Sequence, residues 1–242
     1  MKLLALDTTT DMSSIAVVED GTMLGEYNAL YRMDLSQRLL LNVKSLLQDC
    51  RIGMKDLDAI GVSLGPGSFT GIRIGVVTAK TLAQTLGIPL AGVVSLDVLA
   101  AQFEYLPDKL VCPIIKVRKG EIYYAFYRTH PGGIERISEY AAEMIESLIE
   151  CARQMEGDSI IFCGDALDAN LPDLRGGLAD RVLPAPPWLC YPKASGLARL
   201  AMEKISAGGG EDPLSVMPFY LRKSTPEIRM DLRNGQETAG SG

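Results

Sequence analysis

The sequence predicts an α/β protein with mixed β-sheets, built from two halves that repeat one arrangement. In the first half, three strand patterns precede alternating helix and strand patterns, which gives the order βββ-α-β-α-β-α. Consecutive strands of this kind pair antiparallel, whereas helical crossovers make later strands parallel, so the predicted sheet is mixed. The second half gives a similar order, which indicates a structural duplication, although residue identity between the halves is negligible.

The elements of the first half follow from hydrophobic periodicity and turn residues. Strands are predicted at residues 3–6, 13–18 and 22–30, and a tight turn at residues 19–21 joins the last two. The remaining predicted elements are helices at residues 34–51, 69–86 and 95–103 and strands at residues 58–63 and 90–94.

The second half begins where the pattern breaks near residues 104–109. Its predicted elements are strands at residues 110–117, 122–127, 133–138 and 159–163 and helices at residues 142–155 and 194–205. The proline-rich residues 183–192 are predicted to form an extended connector. We therefore expect one domain over residues 1–105, a second over residues 106–222, and a flexible tail at residues 223–242.

Composition excludes several classes of protein. Hydrophobic residues make up 47% of the 242 residues and charged residues 22%, which is typical of soluble globular chains. The formal net charge of −6 disfavours a nucleic-acid groove built by this chain alone. Five cysteines without CxxC spacing, no signal peptide and no apolar run of bilayer length lead us to expect a reduced, cytoplasmic protein that is not in a membrane.

The glycine-rich stretch "SLGPGSFTGIRIG" lies where a strand passes into a helix, and it is a candidate anion site. Backbone amides at a helix start attract anions, so Gly65, Gly67 and Ser68 are predicted contacts. Asp7 and Thr9 in the "DTTT" turn are a second candidate, with an ordinary Asx turn as the alternative. The lysine of a P-loop is absent, and the third glycine is one residue too late for G-x-G-x-x-G.

Nucleophilic and metal chemistry find little support in the sequence. The serine of "GSFTG" directly follows the first glycine, so the G-x-S-x-G elbow is absent, and the single histidine, His130, is predicted in a surface turn. One histidine excludes an H-x-x-x-H metal pair, and no cysteine pair has zinc spacing. Binding of Mg²⁺ by carboxylates together with a nucleotide stays open at this point.

The helix after the glycine-rich stretch has a face without bulky side chains. Gly71, Gly75, Ala79 and Ala83 recur every four residues, which permits close approach of another element. A glycine within a helix costs about 0.5–1 kcal/mol relative to alanine, so two of them suggest a packing requirement. The pattern does not decide whether the neighbour is internal or a second chain. The leucine-rich helix at residues 34–51 is similarly ambiguous, because Leu41 widens its apolar arc.

Several segments, in this order and spacing, give the sequence a family resemblance. They are "LALDTTTDMSSIAV", "LSQRLLLNVKSLL", "GVSLGPGSFTGIRIGVVTAKTLA" and "VVSLDVLA" in the first half, and "RKGEIYYAFY" and "PFYLR" in the second. These segments resemble the bacterial TsaB (YeaZ) family of tRNA threonylcarbamoyladenosine biosynthesis proteins. The resemblance spans most of the chain and thins out between residues 129 and 213.

The resemblance implies a fold of two related domains of the actin/sugar-kinase/Hsp70-like (ASKHA, RNase H-like) type. It implies a non-catalytic relative of the transferase TsaD, which places a threonylcarbamoyl group on N6 of adenosine 37 in tRNAs that read ANN codons. The implied partners are a TsaD-like transferase and a TsaE-like ATPase. The resemblance also implies that the chain forms a homodimer when it is alone and that it contacts tRNA only as part of the complex. No cofactor and no metal are implied.

The family forms its interface with the amino-terminal helices, which here map to residues 34–51 and 69–86. From the sequence pattern, the residues expected at the partner interface are Leu39, Val43, Leu46, Gly71, Gly75 and Ala79.

Departures from related sequences bear on chemistry. Where TsaD-like enzymes carry the H-x-x-x-H metal ligands, this chain aligns Ser95 and Leu99, neither of which replaces an imidazole. Leu35 stands where many members carry histidine, and Lys116 stands where an aspartate usually opens the second domain. The expected function is therefore a scaffold subunit. The rivals are a nucleotide-dependent phosphotransferase that uses Asp7, Thr9 and the glycine loop, and a stand-alone regulatory homodimer.

Overall fold

A computed structural model describes residues 1–30, 34–118, 120–157 and 159–221. The described strands are β1 (Lys2–Asp7), β2 (Met12–Glu19), β3 (Thr22–Leu30), β4 (Ala59–Ser63), β5 (Leu90–Val93), β6 (Leu110–Arg118), β7 (Glu121–Tyr124), β8 (Tyr127–His130), β9 (Gly133–Arg136), β10 (Ala141–Met144), β11 (Ile160–Cys163) and β12 (Val182–Pro184). The described α-helices are α1 (Leu35–Asp49), α2 (Phe69–Leu86), α3 (Ser95–Ala101), α4 (Ile145–Gln154), α5 (Leu167–Leu178) and α6 (Ala194–Ser206).

The first sheet is mixed, as the sequence predicts. Its strand order is β3-β2-β1-β4-β5, with β1, β2 and β3 antiparallel and β1, β4 and β5 parallel. In register, Leu6 of β1 lies opposite Val62 of β4. Because β1 and β4 run parallel, the loops that follow them emerge at the same edge of the sheet.

The second sheet repeats this order. The path β10-β7-β6-β11-β12 has antiparallel pairs at β10-β7 and β7-β6 and parallel pairs at β6-β11 and β11-β12. The hairpin of β8 and β9 lies off this path and pairs with the start of β6. The matching strand order supports the predicted duplication where residue identity does not.

Three predictions for the second half need correction. The helix predicted from residue 142 begins only at Ile145, because residues 141–144 form β10 and pair with β7. The strand predicted at residues 122–127 is divided into β7 and β8. Helix α5, which contains Pro172, was not predicted, and the proline-rich connector contains the short strand β12 and a 3₁₀ turn at Pro187–Leu189.

Two helices cover the sheet of the opposite half. Helix α6 packs Leu197 and Ala201 against the first sheet, where Leu3 and Ala5 belong to the same buried cluster. Helix α3, which ends the first half, contributes Leu96 and Leu99 to the core of the second sheet. The domain boundary after residue 105 stays a prediction. Helices from both sides of it pack on the sheet of the other half. The predicted tail, residues 223–242, lies outside the described residues.

Apolar surface is buried in both halves. Helices α1 and α2 pack on one face of the first sheet and bury Leu46, Val76 and their neighbours.

Within the described ranges, no helix combines the length and hydropathy that a bilayer span requires.

Candidate functional site

Two loops that the sequence singles out meet at one edge of the first sheet. The "DTTT" turn follows β1, and residues 64–68 of the glycine-rich stretch follow β4 and lead into α2. Ser68 is the N-cap of α2, and its Oγ accepts a hydrogen bond from Gly71 N at 3.3 Å. Gly87 ends the helix in the left-handed conformation, with φ of 68°.

Hydrogen bonds tie the two loops together. Ser68 N donates to Thr9 O at 2.7 Å, and Thr8 Oγ1 donates to Gly71 O at 2.7 Å. Thr9 directs both its amide and its hydroxyl to Asp7 Oδ1, at 2.9 and 2.8 Å. The hydroxyl groups of Thr8 and Thr9 and the amide of Thr9, which could otherwise donate to a phosphate, are therefore engaged within the protein.

The glycine ridge of α2 accommodates this contact. A Cβ at Gly71 would lie 2.0 Å from Thr8 O, and one at Gly75 would lie 2.2 Å from Thr8 Oγ1. A Cβ at Gly67 would lie 2.1 Å from Thr9 O. These positions require glycine because the turn after β1 lies directly against the loop and the first turns of α2. The neighbour that the ridge admits is internal.

Asp7 lies beneath the joined loops and is fully buried. Burial raises the pKa of its carboxyl group, and the hydrogen bonds from Thr9 oppose that shift. Asp7 therefore acts as the internal acceptor of an Asx turn, which is the alternative that the sequence left open.

A polar cleft of about 290 Å³ separates these loops from the second sheet. Thr9, Gly67 and Ser68 line one wall, and Lys116 and Asp165 lie on the other. Of the five predicted anion contacts, three thus face the cleft. Asp7 and Gly65 are buried and lie outside the cleft lining, so the structure gives no support for anion contact by these two residues, which stays a prediction.

Electrostatics of the cleft oppose an anionic ligand. Burial raises the pKa of Asp165 to about 6, and the carboxylate of Asp11 across the cleft adds to the shift. Asp165 Oδ1 accepts a hydrogen bond from Lys116 N at 2.8 Å, which favours the ionised form. The lining offers one ammonium group against two carboxylates. This charge balance disfavours a phosphate that carries no metal ion, and anion contact by Thr9, Gly67 and Ser68 stays a prediction that the charges argue against.

A larger cavity of about 450 Å³ opens beside Asp165, between the start of α5 and the segment after β12. Its walls include Leu167, Pro184 and Cys190, with the carboxyl groups of Asp165 and Asp168 among the lining groups. Sequence reasoning missed this cavity because α5 was not predicted. Its two carboxyl groups again disfavour phosphate.

The residues aligned with metal ligands have structural roles here. Ser95 N donates to Gly65 O at 2.8 Å, and Ser95 Oγ donates to Pro66 O at 2.5 Å. Leu99 is fully buried in the core of the second sheet. Within the described ranges, no three His, Cys, Asp or Glu side chains come together as a metal-binding group.

The residues predicted at the partner interface lie inside the chain. Leu39, Val43 and Leu46 of α1 are at most 1% exposed, and Ala79 is fully buried. Gly71 and Gly75 face Thr8, as described above. The choice of these six residues is corrected, because side chains packed in a domain core cannot also form its surface. The periodic apolar stripe identified the face of each helix that packs on the sheet.

The exposed faces of the same helices carry other apolar side chains. Leu40 and Leu41 of α1 are 51% and 62% exposed, and Val77 of α2 is 62% exposed. The sequence signal for them was present, since Leu41 lies off the buried stripe of α1. Val77 follows Gly75 by two residues in sequence but is exposed, whereas Gly75 is buried.

The comparisons with known proteins agree with these features. A family model described as "TsaD: tRNA N6-adenosine threonylcarbamoyltransferase" matches residues 31–172. A Bacillus subtilis protein named tRNA threonylcarbamoyladenosine biosynthesis protein TsaB is 33% identical over 229 residues, covering 95% of this chain and 97% of the relative. The chain belongs to the TsaB family.

Solved structures support the family and its fold. YeaZ from Pseudomonas aeruginosa matches with a TM-score of 0.79 and 27% identity, covering 91% of this chain and 99% of that one. A polyphosphate/ATP-glucomannokinase from Arthrobacter has a TM-score of 0.51 and 13% identity over 85% of this chain and 99% of its own. The second match shows the fold alone and confirms the sugar-kinase-like architecture.

Proposed function

We propose that this chain is the non-catalytic scaffold subunit of the complex that installs N6-threonylcarbamoyl on adenosine 37 of tRNAs reading ANN codons. Its proposed partner is a TsaD-like transferase, joined in the working assembly by a TsaE-like ATPase. The observation that carries the proposal is the 33% identity to a TsaB protein over 95% of the chain.

The geometry of the loops supports an accessory role. The hydroxyl groups of Thr8 and Thr9 and the amide of Thr9 are engaged internally, and the cleft carries two carboxyl groups. Ser95 and Leu99 occupy the positions that align with the metal ligands of TsaD-like enzymes. A phosphotransferase of the same fold would need phosphate donors at these places. Isothermal titration calorimetry with ATP and Mg²⁺ separates the two functions, because micromolar binding by the isolated chain would support the phosphotransferase.

We place the partner interface on the outer faces of α1 and α2. Leu40, Leu41 and Val77 form its apolar part, because large side chains that are half or more exposed gain most from burial at an interface. The internal contact of α2 with Thr8 holds this helix against the loop after β1, so its outer face is presented on a fixed support.

The interface is tested by charge substitution. Leu41→Asp and Val77→Asp are expected to weaken binding of the TsaD-like transferase at least about tenfold, because each variant places a carboxylate in an apolar contact. Leu183→Asp is the matched control, since Leu183 is 43% exposed on β12, away from α1 and α2. Calorimetry measures the dissociation constants, and circular dichroism checks the fold of each variant. Equal affinities in all four proteins would contradict the interface.

The cellular function is tested by depletion of the protein in its native cell. Mass spectrometry of digested tRNA is expected to show loss of N6-threonylcarbamoyladenosine, with restoration by the wild-type chain and by Leu183→Asp. Complementation by Val77→Asp is expected to restore less. An unchanged level of the modified nucleoside after depletion would overturn the proposed function.

A further inference from the structure

The exposed apolar residues on the outer faces of α1 and α2 have basic neighbours. Leu40, Leu41 and Val77 are each more than half exposed, and the two helices contact each other on one face of the first sheet. Side chains three or four residues apart lie on the same side of a helix. At these spacings from the three residues, every charged side chain is basic: Arg38 and Lys44 on α1, and Arg73 and Lys80 on α2.

Three of these basic groups keep their charge uncompensated. Arg38 and Lys44 are exposed, and neither forms an ion pair with any residue that the structure describes. Lys80 Nζ donates to two backbone oxygens, Leu214 O at 3.1 Å and Val216 O at 2.8 Å. Carbonyl oxygens carry no net charge, so the ammonium group of Lys80 still acts on whatever approaches α2.

The acidic residues of the two helices lie apart from the apolar centre. Asp34 precedes α1 as its N-cap, and Asp49 is the last residue of α1, where its carboxylate accepts a hydrogen bond from Tyr27 OH. Both are more than one helical turn from Leu40 and Leu41. Helix α2 contains no acidic residue. The charges that border the apolar centre along these helices are therefore of one sign.

The chain as a whole has the opposite sign. Its formal net charge is −6, so an acidic partner is repelled by this chain on average and attracted at the outer faces of α1 and α2. Such a charge distribution orients the partner as it approaches. A second copy of the chain would instead bring the same basic residues to the contact, because an isologous interface uses one patch twice.

We propose that the outer faces of α1 and α2 take a partner whose contact surface has an apolar centre bordered by carboxylates, and that they discriminate against a second copy of this chain. The identity of that partner, the TsaD-like transferase, rests on the proposed function. The basic residues act mainly on the rate of association, whereas the apolar centre holds the complex once it has formed.

The charge of the partner surface is tested by stopped-flow association with the TsaD-like transferase. The wild-type rate constant is expected to fall about tenfold between about 0.1 and 1 M NaCl, because the screening length shortens from about 10 Å to about 3 Å. The reversed variant, Arg38→Glu with Lys44→Glu, should associate at least about tenfold more slowly than the wild type at the lower salt concentration. At the higher concentration the two rate constants should converge.

The matched control is Lys109→Glu with Arg175→Glu, which changes the net charge by the same amount. Both residues are exposed in the second half, Lys109 just before β6 and Arg175 on α5. Because distant exposed charges are screened, the control should associate within about twofold of the wild-type rate. Circular dichroism checks the fold of both variants. Equal rate constants for the reversed variant and the control would overturn the proposal.

Pairing between copies tests the same surface without the transferase. The reversed variant carries carboxylates beside Leu40 and Leu41 and so imitates the proposed partner. In sedimentation equilibrium at low salt, the wild type is expected to pair with the reversed variant about threefold or more tightly than with itself. The control variant should show no such gain. If the reversed variant pairs with the wild type no more tightly than the control does, the discrimination against a second copy is overturned.

The two experiments separate this proposal from the proposed function. If the transferase binds none of the three proteins but the mixed pair of wild type and reversed variant is tightened, the surface chemistry is supported and the proposed function fails. If the transferase binds all three proteins at rates that do not depend on salt, the proposed function stands and the acidic partner surface is overturned.

Discussion

Replacing Gly75 with alanine tests the close contact between α2 and the turn after β1. The new Cβ would lie 2.2 Å from Thr8 Oγ1 but 3.5 Å from Thr8 Cβ, so the hydroxyl oxygen is the colliding atom. Thr8 is β-branched, and its Oγ1 donates to Gly71 O at 2.7 Å, so the hydroxyl cannot rotate away without breaking a buried hydrogen bond. Overpacking costs about 1–3 kcal/mol, and an unsatisfied buried polar group costs a further 1–3 kcal/mol or so. The better helix propensity of alanine returns about 1 kcal/mol.

The expected net effect is a loss of about 1–5 kcal/mol in the free energy of unfolding, measured by urea denaturation. Gly176→Ala is the control, since Gly176 is also helical but a Cβ there meets nothing within 4 Å. That variant should gain up to about 1 kcal/mol. Thr8→Ala removes the colliding atom, so the double variant with Gly75→Ala should be destabilised by less than the sum of the single variants. If Gly75→Ala were as stable as Gly176→Ala, the contact would not exist as described.

The remaining predictions concern the same loop contact, the cleft and the junction between the sheets. Gly71→Ala should destabilise more than Gly75→Ala in the same denaturation assay, because its Cβ would lie 2.0 Å from the backbone oxygen Thr8 O, which no side-chain rotation can relieve. The pKa of Asp165 is raised to about 6, so its folded form holds the proton more tightly than the unfolded chain. The stabilisation from this proton is complete below about pH 4 and is lost as pH rises through about 6. Asp165→Asn should therefore be more stable than the wild type at pH 8, by up to about 3 kcal/mol, with no such difference at pH 4; an unchanged pH profile would contradict the burial of this carboxyl group. Tyr127→Phe removes a hydrogen bond of 2.6 Å to Asp97 Oδ1 and should cost about 1–3 kcal/mol by thermal or urea unfolding, whereas a neutral result would show that Tyr140, the other donor to Asp97, suffices.

Much of the first half was predictable from the sequence because its signals are local. The bounds predicted for α2 match the structure, since Ser68 is an N-cap residue and Gly87 adopts the left-handed conformation that ends helices. Helix α5 was missed because Pro172 and the glycines at its end weaken the helical pattern. Strand β10 was taken for helix because pairing with β7, a non-local interaction, overrides the local pattern.

The candidate site was predictable in position but not in role. The sequence pointed to both loops, but it could not show that Thr8 lies against Gly71 and Gly75, because that contact joins residues more than 60 positions apart. For the same reason, the small-residue face of α2 was assigned to a partner when it belongs to the core. Periodicity finds the face of a helix that packs closely, and only tertiary structure shows what it packs against.

The contact between α2 and Thr8 also links the fold to the proposed function. Because Gly67, Gly71 and Gly75 have no Cβ, Thr8 and Thr9 pack directly against them. The hydroxyl groups of Thr8 and Thr9 donate to Gly71 O and Asp7 Oδ1. One wall of the cleft is therefore packed protein, and α2 is fixed to the sheet along its inner face. A helix held in this way loses little further conformational entropy when a partner binds its outer face, which favours a scaffold over a phosphotransferase at the same position.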